Sequence, residues 1–187
     1  MCQRPKQQFL PGSRGTSVLE LMTLVGLLGI LSAFAFSSLQ PYAQQYRLRA
    51  AAINVASELA RARQEAIRTR LCHFFVANGS SAFRIVRDDP ATPNCQFDVG
   101  DPQVRSISFA SEFPGITFSS GGVSIDPYGA TLTGPTPTNI RFEPRGLVTG
   151  NGGSTILIYS TNTAPMAITV TVAGAVRTWT YGDGAWH

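Results

Sequence analysis

Charged residues are scarce in this chain of 187 residues. Asp, Glu, Lys and Arg make up 14% of it, whereas soluble domains usually contain about a quarter. Lysine occurs once, at Lys6, so every other basic residue is an arginine. Without Arg4, Lys6 and Arg14, which lie within the first fifteen residues, the net charge falls from +4 to +1. The remainder is nearly neutral, which argues against nucleic-acid binding driven by overall charge.

Cysteine and histidine are also rare. Histidine occurs only at His73 and His187, and the three cysteines form no CxxC pair and no cluster with histidine. A zinc site is therefore not indicated. No glycine-rich phosphate loop precedes a helix, and no nucleophile and base are recognisable by spacing. The sequence predicts no enzyme activity, no cofactor and no bound metal ion.

The three cysteines are Cys2, Cys72 and Cys95, and only the last two lie outside the first fifteen residues. If the first fifteen residues are removed, Cys72 and Cys95 remain. An even pair in an exported domain is a candidate disulfide. The alternative is two unpaired thiols, one of them buried.

A long apolar run occupies residues 16–39, and residues 21–39 carry no charge. These nineteen residues would span about 28 Å as a helix, close to the thickness of a bilayer core. The basic residues before the run favour a cytoplasmic location for that end, although Arg47 and Arg49 follow on the other side. The pattern is typical of a secretory signal peptide cut after Ala35, and equally of an anchor that is retained.

Glu20 separates these two interpretations, because a carboxylate at the edge of an apolar segment is costly in lipid unless it is paired or neutralised. Residues 14–21 resemble the prepilin motif, in which a glycine precedes the cleavage site and Glu is the fifth mature residue. The resemblance implies that a prepilin peptidase cuts after Gly15 and methylates the new amine of Thr16. Glu20 would then pair with the Thr16 amine of a neighbouring subunit. One departure is that the first mature residue of this family is usually Phe.

Residues 46–70 contain neither glycine nor proline. Apolar side chains recur at steps of three and four, which predicts an amphipathic helix: Leu48, Ala52, Val55, Leu59, Ala62 and Ala66. We therefore expect one long helix from about residue 17 to 70. Its hydrophobic half, 16–40, would lie in a membrane or filament core, and its amphipathic half, 41–70, would pack under a sheet. The arginines lie mostly off the apolar stripe and are expected to be solvated.

After residue 70 the sequence changes to short alternating segments separated by turn residues. This pattern predicts a β-rich domain over 71–187, with seven to nine mostly antiparallel strands. The predicted strands cover residues 72–76, 83–86, 104–109, 116–118, 140–142, 154–160, 167–172 and 176–181. The expected fold class is α+β and pilin-like, with a long N-terminal helix packed on an antiparallel sheet domain.

Two elements in the C-terminal half narrow the resemblance. Phe142-x-Pro144-x-Gly146 precedes a strand, and the final hairpin carries Gly174 and Arg177. This order resembles the GspH/FimT group of minor pseudopilins and minor pilins. The resemblance implies a leader over 1–15, one helix in the bacterial inner membrane and a periplasmic β-domain. It also implies assembly with other subunits into a type IV pilus or a type II secretion pseudopilus.

Some FimT-like proteins bind DNA through a Gly-Arg-x-Arg turn. Here Ala175 replaces the first arginine, and only Arg177 remains. A single arginine makes few phosphate contacts, and affinity grows with their number, so DNA is not an expected partner. Two alternatives stay open: a DNA-binding minor pilin for DNA uptake, and an ordinary secreted β-domain released after Ala35.

Overall fold

A computed structural model describes residues 17–132, 139–149 and 154–187. Gly15 and Thr16, with the rest of the predicted leader, lie outside the described residues, and the side chains of residues 34–40, including Ala35, are not described. The chain divides into two units, Met1–Gln40 and Pro41–His187. Helix α1, Val18–Thr69, contributes to both.

In the first unit, the described part of α1 exposes its apolar side chains. Its leucine, valine, isoleucine and methionine residues between Val18 and Leu31 are 52–75% exposed. A contiguous apolar surface of this kind marks a site of contact with protein or lipid. Within the described residues, no helix is both long enough and apolar enough to cross a membrane.

In the second unit, α1 buries the predicted apolar stripe. Leu48, Val55 and Leu59 are fully buried, and the three alanines of the stripe are at most 2% exposed. The helix ends after Thr69 because Arg70 adopts a left-handed conformation, with φ 57°, which is a common way to close a last helical turn. The expected limits of the helix are correct to within one residue at each end.

Two five-stranded sheets, with all their strand pairs antiparallel, follow the helix in the described residues. The first has the order β3-β2-β1-β5-β6, with β1 His73–Ala77, β2 Ala82–Arg87, β3 Gln103–Ser108, β5 Asn139–Phe142 and β6 Val148–Thr149. The second has the order β10-β9-β8-β7-β4, with β4 Ile116–Phe118, β7 Ser154–Ser160, β8 Met166–Val170, β9 Val176–Gly182 and β10 Ala185–Trp186. The predicted strand over 104–109 begins and ends one residue later than β3, because Phe109 begins a short helix, α2 Phe109–Glu112.

A single hydrophobic core joins the second half of α1 to both sheets. Phe75, Phe83, Phe109 and Phe118 pack together within it, mostly edge to face, with ring centroids 4.8 to 6.3 Å apart. Ile156, Ile158 and Ile168 close it from the second sheet. The fold class expected from the sequence, a long N-terminal helix packed on antiparallel β-structure, is therefore confirmed.

Candidate functional site

Glu20 lies in the first turn of α1, with its side chain exposed. Its N–H donates to the Ser17 carbonyl at 2.9 Å, and its own carbonyl accepts the Thr23 hydroxyl at 2.9 Å. A carboxylate at this end of a helix is favoured by the helix dipole. Among the described residues, the ion pairs are Arg68–Glu65 and Arg105–Glu58, so Glu20 is accessible to a cation from another molecule. The group expected to pair with Glu20 is the amine of Thr16 in a neighbouring subunit, and Thr16 lies outside the described residues.

Cys72 and Cys95 are joined by a disulfide that spans 23 residues, with Cα atoms 5.3 Å apart. Two polar groups hold Cys95 as well: the Asp88 carboxylate accepts its N–H at 2.9 Å, and the Arg141 guanidinium donates to its carbonyl at 2.9 Å. The disulfide fastens the loop between β2 and β3 over the outer face of the first sheet. There it packs in a small hydrophobic cluster with Phe74, Val76, Val86 and Phe97.

Removing this disulfide with Cys72→Ser/Cys95→Ser is expected to lower the free energy of unfolding by about 3 kcal/mol. The reason is that the loop regains its conformational freedom in the unfolded chain. Denaturant unfolding of the oxidised protein and of the variant measures the difference, and Cys2→Ser serves as a control that keeps the bridge. Unfolding curves that coincide with and without reductant would contradict the expectation.

Two turns from the C-terminal half meet at Arg63 of α1. The first contains Gly146 and lies between β5 and β6; the second contains Gly174 and lies between β8 and β9. Arg63 Nε donates to the Gly146 carbonyl at 3.0 Å. A Cβ on Gly174 would lie 2.5 Å from Arg63 Nε and would also clash with the Gly146 carbonyl. Arg63, Gly146 and Gly174, which we call the two-turn junction, are therefore in direct contact.

Backbone geometry explains why glycine occupies both turns. Gly146 and Gly174 each have φ +75°, a conformation that other residues rarely adopt. The neighbouring backbone also connects the sheets, since the N–H of Val148 donates to the carbonyl of Val172 at 2.9 Å. The two sequence elements that carry the GspH/FimT resemblance thus contact each other through one helix residue.

Arg63 was missed as a structural residue by the sequence interpretation, which placed the arginines on a solvated face. The side chain is half-buried and bonded to the Gly146 carbonyl. Its position next to Ala62 of the buried stripe was a signal, because an arginine at the border of a core can lay its stem on apolar surface. On the same helix, Glu58 is 7% exposed and forms an ion pair with Arg105 of β3 at 3.1 Å.

Arg177 is exposed near the start of β9, opposite Thr169 of β8. The nearby turn is closed by the Ala175 N–H, which donates to the Thr171 hydroxyl at 3.1 Å. Strand β10 pairs with the other end of β9, at Tyr181 and Gly182. In the described part of the sheet, β9 therefore has a neighbouring strand on only one side at Arg177. A charge at such an edge discourages pairing with a strand of another molecule.

A cleft of about 110 Å³ separates α1 from the edge of the first sheet. Its lining includes Glu58, Glu65, His73 and Arg105. His73 is 1% exposed, and its Nδ1 lies 3.2 Å from the Leu71 carbonyl. Burial lowers the pKa of His73, while the contact with the Leu71 carbonyl and the charge of Glu65 oppose that effect. No group of three or more potential metal-binding side chains occurs among the residues described.

The stability of the domain is expected to fall as the pH drops below the ordinary histidine value, near 6.5. His73 has a lower pKa in the folded protein than in the unfolded chain, so the unfolded chain binds more protons in this range. The slope cannot exceed about 1.4 kcal/mol per pH unit for one group. Denaturant unfolding between pH 5 and pH 8 tests this, and His73→Gln should flatten the slope. A slope that persists in His73→Gln would assign the effect to other groups.

Comparisons with known proteins show which proteins this chain resembles in sequence and in structure. No family model matches the chain. The chain is similar to the pilin-like protein PilA1 of Thermus thermophilus, with 32% identity over 142 residues, covering 72% of this chain and 78% of that protein. It is also similar to the structure of the type IV minor pilin FimU of Pseudomonas aeruginosa, with 14% identity and a TM-score of 0.49, covering 78% of this chain and 96% of that one. The sequence similarity is the finding that bears on family membership.

Proposed function

Since the chain belongs to the pilin-like proteins, we propose that it is a minor pilin or pseudopilin, a structural subunit that assembles with other pilin subunits into a filament. The observation that carries this proposal is the build of α1. It has an exposed carboxylate in its first turn, an apolar exposed surface after it, and a second half buried in a folded domain. A filament subunit needs these three parts: a contact for assembly, an apolar helix segment for the filament core, and a folded domain that is attached firmly to the helix.

The assembly contact in this proposal is the pair formed by Glu20 and the amine of Thr16 in a neighbouring subunit. A prepilin peptidase would cut after Gly15 and methylate the new N-terminus. An ammonium and a carboxylate are each costly to hold among apolar helices, and the cost is much smaller when they pair. Because the pair forms only when two helices are correctly offset, it would set the axial register between subunits.

Before assembly, the subunit would be anchored in the bacterial inner membrane by residues 16–40, with residues 71–187 in the periplasm. The uncharged run over 21–39 supports the anchor. The Cys72–Cys95 disulfide supports the location of the domain, because disulfides persist in oxidising compartments such as the periplasm.

Within the family, we place the chain in the GspH/FimT branch. The support is the two-turn junction, in which the element 142–146 and the final hairpin share one contact with the helix. The proposal covers both a type IV pilus and a type II secretion pseudopilus, since the same helix and domain serve either filament.

N-terminal mass spectrometry of the chain produced together with a prepilin peptidase tests the proposal. The expected mature protein begins at Thr16 and carries one methyl group on its amine. The variant Gly15→Val is the matched control and should keep the leader. A mature protein that begins at Phe36 would overturn the proposal in favour of an ordinary secreted β-domain.

A further inference from the structure

A short stretch of α1 beyond the apolar run carries exposed aromatic and basic side chains. Tyr42 and Tyr46 are 71% and 76% exposed, and Ile53 is 57% exposed. Arg49 is exposed as well, and the spacing of four, three and four residues places these side chains on one face of the helix. We call Tyr42, Tyr46, Arg49 and Ile53 the Tyr–Arg face. The residues turned into the domain in the same turns are buried: Leu48, Ala51, Ala52 and Val55.

Along this part of the helix, the charged side chains are all positive. Between Glu20 and Glu58, the charged residues of the sequence are Arg47 and Arg49. Arg47 is exposed as well, and it lies about 100° around the helix from Tyr46. Neither arginine takes part in an ion pair among the described residues. An exposed aromatic surface with uncompensated cations calls for a partner that is anionic and partly apolar.

We propose that the two tyrosines and Arg49 of the Tyr–Arg face, together with Arg47, bind the headgroup region of a membrane that contains anionic phospholipid. This inference rests on the membrane anchoring proposed above for residues 16–40. Tyrosine prefers the membrane boundary because its ring is apolar and its hydroxyl is polar. A basic side chain near an anionic surface is attracted to it, and this attraction weakens with added salt.

The distances along the helix place the two tyrosines of the face nearest to the headgroup layer, whereas Ile53 lies about 21 Å beyond the apolar run. Tyr42 follows Leu39, the last residue of the apolar run, by about 5 Å, Tyr46 follows it by about 10 Å, and Arg49 follows it by about 15 Å. The headgroup layer extends several ångströms beyond the hydrocarbon core on each side. A long arginine side chain reaches back toward that layer while its stem lies along the helix.

A second copy of the chain would match the apolar side chains of the Tyr–Arg face but not its positive charge. Its α1 could cover Tyr42, Tyr46 and Ile53 with apolar surface. The segment 21–57 of such a copy contains no acidic residue, so packing it against the same segment would bring four arginines together without a carboxylate. Anionic lipid supplies the missing negative charge.

The test uses the full chain in vesicles of phosphatidylcholine, with and without phosphatidylglycerol. Hydroxyl-radical footprinting with mass spectrometry reports the solvent access of each tyrosine. Oxidation of Tyr42 and Tyr46 is expected to fall severalfold when phosphatidylglycerol is present and to recover at high salt. Tyr128, which is 57% exposed on the β-domain, is the internal control and should be unchanged.

The charge requirement is tested with two double variants. Arg47→Gln/Arg49→Gln should abolish the effect of phosphatidylglycerol, and Arg61→Gln/Arg70→Gln, at two other exposed arginines, should retain it. Protection of Tyr42 and Tyr46 that is equal in both vesicle types would overturn the inference. So would protection that grows with the ratio of protein to lipid, because a neighbouring copy would then cover the face. A chain that does not float with the vesicles refutes the proposed anchor, and with it this inference.

Discussion

Replacing Gly174 by alanine is expected to destabilise the folded domain by about 3 kcal/mol or more. A residue with a Cβ pays about 1–2 kcal/mol to adopt φ +75°. The new methyl group would also lie 2.5 Å from Arg63 Nε and would clash with the Gly146 carbonyl, which belongs to the backbone and cannot move alone. Overpacking of this kind typically adds about 1–3 kcal/mol. Denaturant unfolding of the detergent-solubilised chain measures the total.

Gly184 provides a matched control for the backbone cost. It has φ +79° in the turn before β10, and a Cβ added there meets no atom within 4 Å. Gly184→Ala should therefore cost only about 1–2 kcal/mol. The variant Arg63→Ala/Gly174→Ala should recover part of the loss, because it removes one of the two crowded groups. If Gly174→Ala lowers the free energy of unfolding by no more than Gly184→Ala does, the close contacts at the two-turn junction add no cost, and the expectation is wrong.

Replacing Glu20 by glutamine is expected to reduce incorporation into filaments on the order of 100-fold, while cleavage and membrane association remain normal. In the proposed assembly, the change leaves the N-terminal ammonium of a neighbouring subunit without its carboxylate. Breaking a buried pair by removing one partner costs about 3–5 kcal/mol, which is ample for a loss of this size. Glutamine keeps the shape and the helix propensity of glutamate, so the loss would report the charge.

The measurement is the fraction of the protein found in sheared filaments relative to the membrane fraction. Glu112→Gln is the control, because Glu112 is an exposed carboxylate in α2, far along the chain from the helix start. Assembly of Glu20→Gln at the wild-type level would refute the pairing role. An equal defect in Glu112→Gln would show that the loss is not specific to Glu20.

The sequence predicted the longer regular elements well. The limits of α1 are correct to one residue, because the apolar stripe of its second half repeats over several turns. Strand β7 is predicted over its full length from a run of apolar and β-branched residues. Strands β6 and β10 were missed, since two residues contain no alternation to detect. Phe109 was assigned to a strand because its apolar side chain continues the alternation of β3, although its backbone begins α2.

The candidate site was predicted in part. Glu20 is exposed, as an intermolecular contact requires, and its role remains a prediction, as do those of Gly15 and Thr16. The pairing of the cysteines was left open by the sequence, and the structure joins them in a disulfide. The two-turn junction was not predictable, because residues 83 positions apart, Arg63 and Gly146, meet only after both sheets have packed on the helix.

The burial of the second half of α1 in one core with both sheets has a mechanical consequence for a filament subunit. A pull along the helix would have to slide the whole apolar stripe past the core at once, instead of peeling strands away one after another. The bond from Arg63 to the Gly146 carbonyl lies near the end of this stripe and would act as a stop against such sliding. Tension on the stem would therefore be shared by both sheets of the domain.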